Sequence, residues 1–299
     1  LHRPIPFVEI MMKTIRLGAL LLCLVSVLLP AMRGGAPVQA QTDVHIYALR
    51  DAVPCPTAEP CPVDLVTIAP GATGADHVLG PIETSSGAGP QIESLALSPD
   101  NHIYGTAGTT LYSIDGTCPN GVCEATSLGK ASALGTDTIT GITFHPDGRL
   151  FGVTAGGKLV TLSTKNGKYT LVHDFAGPQA GLPAPFTTGI QFVGGMAFGL
   201  RGILYVTIAP CAGCSGSTSA SGTHDALAAL SPTTFDTIAL TSPDIGFTHV
   251  DGLVFVAGEQ SGSPPILLGT THGATTVAGC ATGSVLVRLS SDGTGALLR

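Results

Sequence analysis

Apolar residues in this chain come in short runs, and from about residue 44 onward the runs return in a fixed order. The first run of a set reads Leu95-Ala96-Leu97, then Ile142-Thr143-Phe144, Met196-Ala197-Phe198 and Leu253-Val254-Phe255, at spacings of 47, 54 and 57 residues. The second pairs an aliphatic with an aromatic residue in Ile46-Tyr47, Ile103-Tyr104, Leu150-Phe151 and Leu204-Tyr205, and its last copy is Leu267-Leu268. The third starts at Leu65, Leu111, Leu159, Leu227 and Leu286, each with Ile or Leu three residues on. A weaker fourth run holds Val78-Leu79, Ser127-Leu128, Leu171-Val172, Ile238-Ala239 and Leu297-Leu298. Every run is too short for a helix and is bounded by Gly, Pro, Asp or Asn, which predicts strands joined by tight turns. Pro99-Asp100-Asn101 and Pro146-Asp147-Gly148 predict turns between first and second runs, and Asn166-Gly167 predicts a type I′ hairpin. Gly105, Gly152 and Gly269, directly after second runs, are expected to let neighbouring units approach.

Four antiparallel strands in each stretch of about 50 residues is the period of a propeller blade. The predicted fold is therefore all-β, a β-propeller of about five four-stranded blades. The first runs are apolar at successive positions, as an inner strand covered on both faces should be. The first set lacks a first run, and the chain stops at Arg299 inside the last set's fourth. Either five blades close imperfectly or the chain is truncated at the C-terminus. Truncation is the favoured expectation, because a bare inner edge exposes a row of backbone donors and acceptors.

These repeats, Gly-Ile-Thr-Phe-His-Pro-Asp-Gly-Arg-Leu-Phe-Gly at 141–152 above all, resemble those of the YVTN/quinoprotein-like class of secreted bacterial β-propellers. The resemblance covers about 44–299 and implies a fold, not an activity, since propellers host unrelated functions. The chain has no Trp, which WD-type and kelch blades and the docking motifs of pyrroloquinoline-quinone dehydrogenases need.

Ahead of the repeats, Met11-Met12 is followed by Lys13 and Arg16, an apolar run over 17–29, and a small-residue tract ending Val38-Gln39-Ala40. That is the order of a secretory signal peptide. Its apolar run of about 13 residues is too short to span a bilayer, and Leu22 before Cys23 does not suit a lipoprotein site. Residues 1–40 are expected to be a non-native start, 1–10, plus the signal peptide, with 41–299 the propeller domain. A secreted, periplasmic or cell-surface location follows. Beyond residue 40 there are nine Lys and Arg against nineteen Asp and Glu, a net charge near −10. That balance, spread along the chain, leaves no nucleic-acid footprint.

Seven cysteines follow residue 40, six of them in close pairs: Cys55/Cys61, Cys118/Cys123 and Cys211/Cys214, with Cys280 left over. In an exported chain these predict local disulfides. Cys211 and Cys214 with Cys280, His224 and His272 lack the four-ligand spacing of a zinc site.

The connections between second and third strands are short in the second and third units and long in the first, fourth and fifth, at about 49–64, 207–226 and 270–284. Long loops on a rigid scaffold are where binding concentrates, which makes His224, Asp225 and His272 candidate binding-loop residues. At the channel mouth, Glu93 and Asp251 precede the first strands of their units, and His249 lies two residues before Asp251. These are the candidate catalytic residues of an alternative reading, a metal-assisted hydrolase or lactonase. Converging carboxylates could hold Ca²⁺ through oxygen or exchange protons. Thr140 and Gly194 at the matching positions make the cluster sparse, and no Asn falls at a channel position to complete the ligand set that gluconolactonase-type propellers use. His45, His77, His102, His145 and His173 are expected to be packing or surface residues. The favoured function is an exported binding or interaction module for a protein, glycan or small molecule, without a cofactor.

Overall fold

The computed structural model describes residues 46–51, 63–68, 77–179, 181–210, 225–236, 238–247, 249–256, 265–271, 285–289 and 295–297. All strands fall in the compact unit spanning 44–299. The expected signal peptide, Cys55, Cys61, Cys211, Cys214, Cys280, His224 and His272 lie outside the described residues.

The strands follow the repeat run for run. The first unit holds β1 (Ile46–Asp51), β2 (Val63–Ile68) and β3 (His77–Glu83). The second holds β4 (Ser94–Leu97), β5 (Ile103–Ala107), β6 (Thr110–Ile114) and β7 (Cys123–Lys130), and the third β8 (Ile139–Phe144), β9 (Leu150–Thr154), β10 (Lys158–Leu162) and β11 (Tyr169–Asp174). The fourth holds β12 (Ile190–Phe198), β13 (Leu204–Pro210), β14 (Ala226–Leu230) and β15 (Ile238–Ser242), and the fifth β16 (Val250–Val256), β17 (Ile266–Thr271), β18 (Val285–Leu289) and β19 (Gly295–Leu297). Within each unit the strands form an antiparallel meander in sequence order. The first two units also merge at their outer edges, where β3 and β7 run parallel through Ile82 against Cys123 and Glu83 against Glu124. The Cys118–Cys123 disulfide bridges the turn that delivers β7 to this joint.

Five apolar clusters hold the units together, each between two units. Leu65, Ile82 and Ile103 belong to the first and second units, and Leu111, Ile139 and Val160 to the second and third. Phe151, Phe175, Phe192 and Ile208 join the third to the fourth, and Ala197, Leu227, Val250 and Leu267 the fourth to the fifth. In the last cluster Ile46 of the first unit packs with Val256 and Leu268 of the fifth.

The aromatic positions show why the repeat is so regular. Tyr104 of the second unit packs on Phe144 of the third, Phe151 of the third on Phe198 of the fourth, and Tyr205 of the fourth on Phe255 of the fifth. All three ring pairs are 5.3 Å apart and tilted or edge-on, the arrangement aromatic quadrupoles favour. Each second-run ring thus meets the Phe that closes the next unit's first run. In the second unit that place holds Leu97, which is 44% exposed.

The third-run leucines have an equally repeated surrounding. Leu65, Leu111, Leu159 and Leu227 are essentially fully buried, and opposite each the outer strand bulges by one residue. A bulge sharpens local twist, so the outer strand bends towards the next unit at the same level each time. At two of these bulges the strand carries a glycine in contact with the following turn. A Cβ on Gly80 would lie 2.1 Å from the Gly121 carbonyl oxygen, and one on Gly129 2.0 Å from that of Asn166.

Two expectations need correction. Gly105 and Gly152 make room for side chains rather than for a neighbouring backbone: Ile92 and Ile114 crowd the first, Leu162 the second. Backbones meet instead at the glycines before the first runs. A Cβ on Gly141 would lie 1.9 Å from the Gly194 oxygen, and one on Gly195 2.8 Å from that of Val250. The Asn166-Gly167 turn is not type I′ either, because Asn166 keeps a negative φ. Gly167, at φ 66°, alone takes the left-handed conformation, and its amide donates to the Ser163 oxygen at 2.8 Å. The two Pro-Asp turns behave as expected, with Asn101 (φ 64°) and Gly148 (φ 89°) in equivalent left-handed places.

Candidate functional site

The inner strands bring three of the expected channel-mouth positions together through their backbones. β8 and β16 each bulge one residue before their glycine, at Thr140 and Asp251. Gly194 of β12 sits between them: a Cβ there would lie 2.7 Å from the Thr140 oxygen and 3.3 Å from that of Asp251. Hydroxyls lock the same level from unit to unit. The Ile142 amide donates to Ser94 Oγ at 2.9 Å, and Thr207 Oγ1 donates to the Val250 oxygen at 2.8 Å while accepting from the Gly195 amide.

Glu93 stands at the head of β4, its amide donating to the Thr106 oxygen at 2.8 Å. Partial desolvation pushes its carboxyl above the ordinary Glu range, against a hydrogen bond from the Gly108 backbone that pulls it down. A carboxyl raised this way holds its proton to higher pH than a free one. His249 is exposed, with a left-handed φ of 53°, and Asp251 is half-buried. Among the described residues no three His, Cys, Asp or Glu side chains come together in a metal-holding group.

Asp225, expected on a binding loop, is 1% exposed at the foot of β14. Its Oδ2 accepts from the Val250 amide at 2.8 Å, and its backbone pairs with Phe247 and Ile245. It is a tie between the fourth and fifth units. The long connections themselves are bounded by strand ends: β1 to β2 passes through 52–62, β13 to β14 through 211–225 and β17 to β18 through 272–284, whereas β5 to β6 needs 108–109 and β9 to β10 needs 155–157. All leave from the same end of their units, because alternate links in a meander do.

At the opposite end lies a cluster the sequence reading missed. His145, expected to be a packing or surface residue, has its Nδ1 2.8 Å from Asp147 Oδ1 across the Pro-Asp-Gly turn. The imidazole stands edge-on to Phe198 at 4.7 Å and near Phe151 and Phe235. Asp147 also accepts from Arg149 Nε at 2.8 Å, and the guanidinium lies over the Phe151 ring at 5.2 Å. Desolvation acts to raise the Asp147 carboxyl, but the Arg149 amide, His145 and the Arg149 guanidinium together hold it down to about 2. The legible signal was the i, i+2, i+4 series His-x-Asp-x-Arg on one turn.

Beside this cluster is an open groove of about 450 Å³ between the β8–β9 and β10–β11 turns. The second unit has its counterpart, about 550 Å³, between the β4–β5 and β6–β7 turns.

No protein-family model and no curated protein matches the chain. Among solved structures, a glycoside hydrolase aligns over 85% of this chain and 59% of its own at 12% identity, with a TM-score of 0.51. Virginiamycin B lyase from Staphylococcus aureus aligns over 87% of this chain and 71% of its own, at 13% identity and a TM-score of 0.38. The extracellular domain of the one component system BT4673 from B. thetaiotaomicron aligns over 79% of this chain at 16% identity and a TM-score of 0.38, and this chain spans 26% of its length. Among the described residues no helix is long and apolar enough to cross a membrane. At 12% identity the likeness to the glycoside hydrolase is one of fold alone, and the chain's own strand order makes it an all-β chain with propeller-like, four-stranded sheets.

Proposed function

We propose that the chain is an exported five-bladed propeller whose long-connection face is a binding module for a protein, glycan or small molecule. The observation that carries this reading is where the long connections leave. They belong to the fourth, fifth and first units, and the packing of Ile46 on Val256 and Leu268 supports the first unit being neighbour to the fifth. One sector of one face therefore gathers all three, above inner strands fixed by backbone contact at Gly141, Gly194 and Gly195. Rigid scaffolds with clustered loops suit recognition. Disulfides Cys55–Cys61 and Cys211–Cys214, read from their spacing alone, would shorten the ordering cost of two of those loops.

The test replaces 212–222 with a short Gly-Ser linker and compares both chains on glycan and peptide arrays. Binding by the parent, lost in the variant at an unchanged melting temperature, is the expected outcome. Binding of peptides or uncharged glycans that survives the replacement overturns the assignment of the face. The alternative, a metal-assisted hydrolase or lactonase using Glu93, His249 and Asp251, has the raised Glu93 carboxyl behind it as a proton donor, while the three side chains form no metal-holding group among the described residues. Lactone hydrolysis that needs Ca²⁺ and disappears in Asp251→Asn would replace the binding reading.

A further inference from the structure

The cations of this acidic chain are not evenly used. Four of the nine Lys and Arg beyond residue 40 fall within 149–168. Lys158 is committed to Asp137 at 3.0 Å, and that contact raises its pKa. The other three, Arg149, Lys165 and Lys168, line the groove of the third unit. Arg149 is held in place by Asp147 and Phe151. Lys165 and Lys168 are exposed, and no carboxylate among the described residues pairs with either. Their backbone amides donate to Ser163 Oγ and Asn166 Oδ1, at 3.4 and 3.2 Å, so the turn is shaped locally without the ammonium groups. Hydroxyls of Thr161, Ser163 and Thr170 supply much of the remaining wall.

The matching groove of the second unit shows that this charge is not a demand of the fold. It occupies the same place between the same two turns, yet its ionisable lining is Tyr47, His102, Asp115 and Glu124, with no Lys or Arg. Two copies of one groove have opposite sign, and only the third unit's could receive an anion.

We propose that the groove between the β8–β9 and β10–β11 turns binds an acidic saccharide, one bearing carboxylate or sulfate groups. Two ammonium groups with no carboxylate partner among the described residues, beside the Asp147-held Arg149, supply the charge complement. Hydroxyl and amide walls match the hydroxyls of a sugar. The lining contains no aromatic ring on which a nucleobase could stack, and the acidity of the rest of the chain repels a long polyanion. The volume lies in the small-ligand range of about 300–1,000 Å³, and a sugar unit or two is the corresponding size. The site lies at the opposite end of the strands from the long connections, so it stands or falls separately from the function proposed above.

Calorimetry on the full chain tests this with a heparin-derived tetrasaccharide and trigalacturonate as acidic probes, and maltotetraose and inorganic sulfate as controls. At least one acidic probe is expected to bind, with an affinity that weakens as salt rises from about 50 to about 200 mM. The double substitution Lys165→Ser, Lys168→Ser should weaken it about tenfold or more, and Lys130→Ser, an exposed cation on β7, should leave it unchanged. Both variants remove exposed side chains, and equal melting temperatures check that they fold. Absence of binding by both acidic probes overturns the proposal. So does equal affinity for maltotetraose or inorganic sulfate, or equal binding by the double variant and Lys130→Ser. Selective loss in the double variant with trigalacturonate alone marks a uronate ligand, and with the heparin fragment alone a sulfated one.

Discussion

At the scale of single residues, two carboxyls move in opposite directions, and their effects on stability have opposite signs. Asp147 is depressed from 3.8 to about 2 in the folded chain. The stability it contributes is present above pH 4 and is lost as pH falls through the folded value. Asp147→Asn should therefore flatten the decline in melting temperature between about pH 4 and 2; an unchanged profile would refute the His145–Asp147–Arg149 coupling. Glu93 is raised, so its ionisation works against the fold as pH climbs past the unfolded value. Glu93→Gln should melt higher than the parent near neutral pH and equal to it at about pH 3. Neither carboxyl could be ranked from sequence. Glu93 was singled out for its place before a strand, whereas its pKa direction comes from local burial that the sequence does not display. His145 was set aside because the sequence could not show Phe198 and Phe235 of the next unit closing around it. Asp225 was assigned to a loop because it adjoins one, but its partner, the Val250 amide, is 25 residues away.

At the scale of strands and turns, the repeat was legible almost run for run, because short apolar runs with turn residues at their ends admit few alternatives to strands. What stayed hidden was which glycines matter and why. Those following the aromatic positions looked like points of contact between units, but the tight contacts are at Gly80, Gly129, Gly141 and Gly194, and they arise from tertiary approach. Two substitutions separate the causes. Gly108 has φ 58° with open space around it, so Gly108→Ala should cost about 1–2 kcal/mol for left-handed backbone alone. Gly129 has φ 150° and the Asn166 oxygen in the way, so Gly129→Ala should cost more, about 3 kcal/mol or above. Urea titration of both variants reads the difference, and equal losses would mean the turn of the third unit simply moves aside.

For the whole molecule, the sequence indicated units but not how the first and last of them meet. Among the described residues β1 ends its sheet, while Ile46 packs on the fifth unit. The joint between the first two units has a different weakness. Among the described residues its backbone contacts are two parallel residue pairs, one of them involving Cys123, and the approach of Gly80 to the Gly121 oxygen. Reducing Cys118–Cys123 should therefore loosen the first unit before the others. Hydrogen exchange is expected to quicken in β2 and β3 while β12 and β13 keep their protection. Uniform exchange across all units would show that the chain opens as one body.

The aromatic pairs give the array a direction. Each unit from the second to the fourth holds out a ring to its successor, and each from the third to the fifth meets it with a Phe at the end of its first strand. Like press-studs in a row, the third and fourth units each carry a stud on one side and a socket on the other. A copied segment that starts at one stud and runs through the next socket to the residue before the following stud, such as 151–204, brings both halves and the turn after the socket, and can be spliced in without a mismatched seam. One cut at the loops between units instead inherits whichever socket stands at its edge, and Leu97 shows what a unit looks like where that socket is blank.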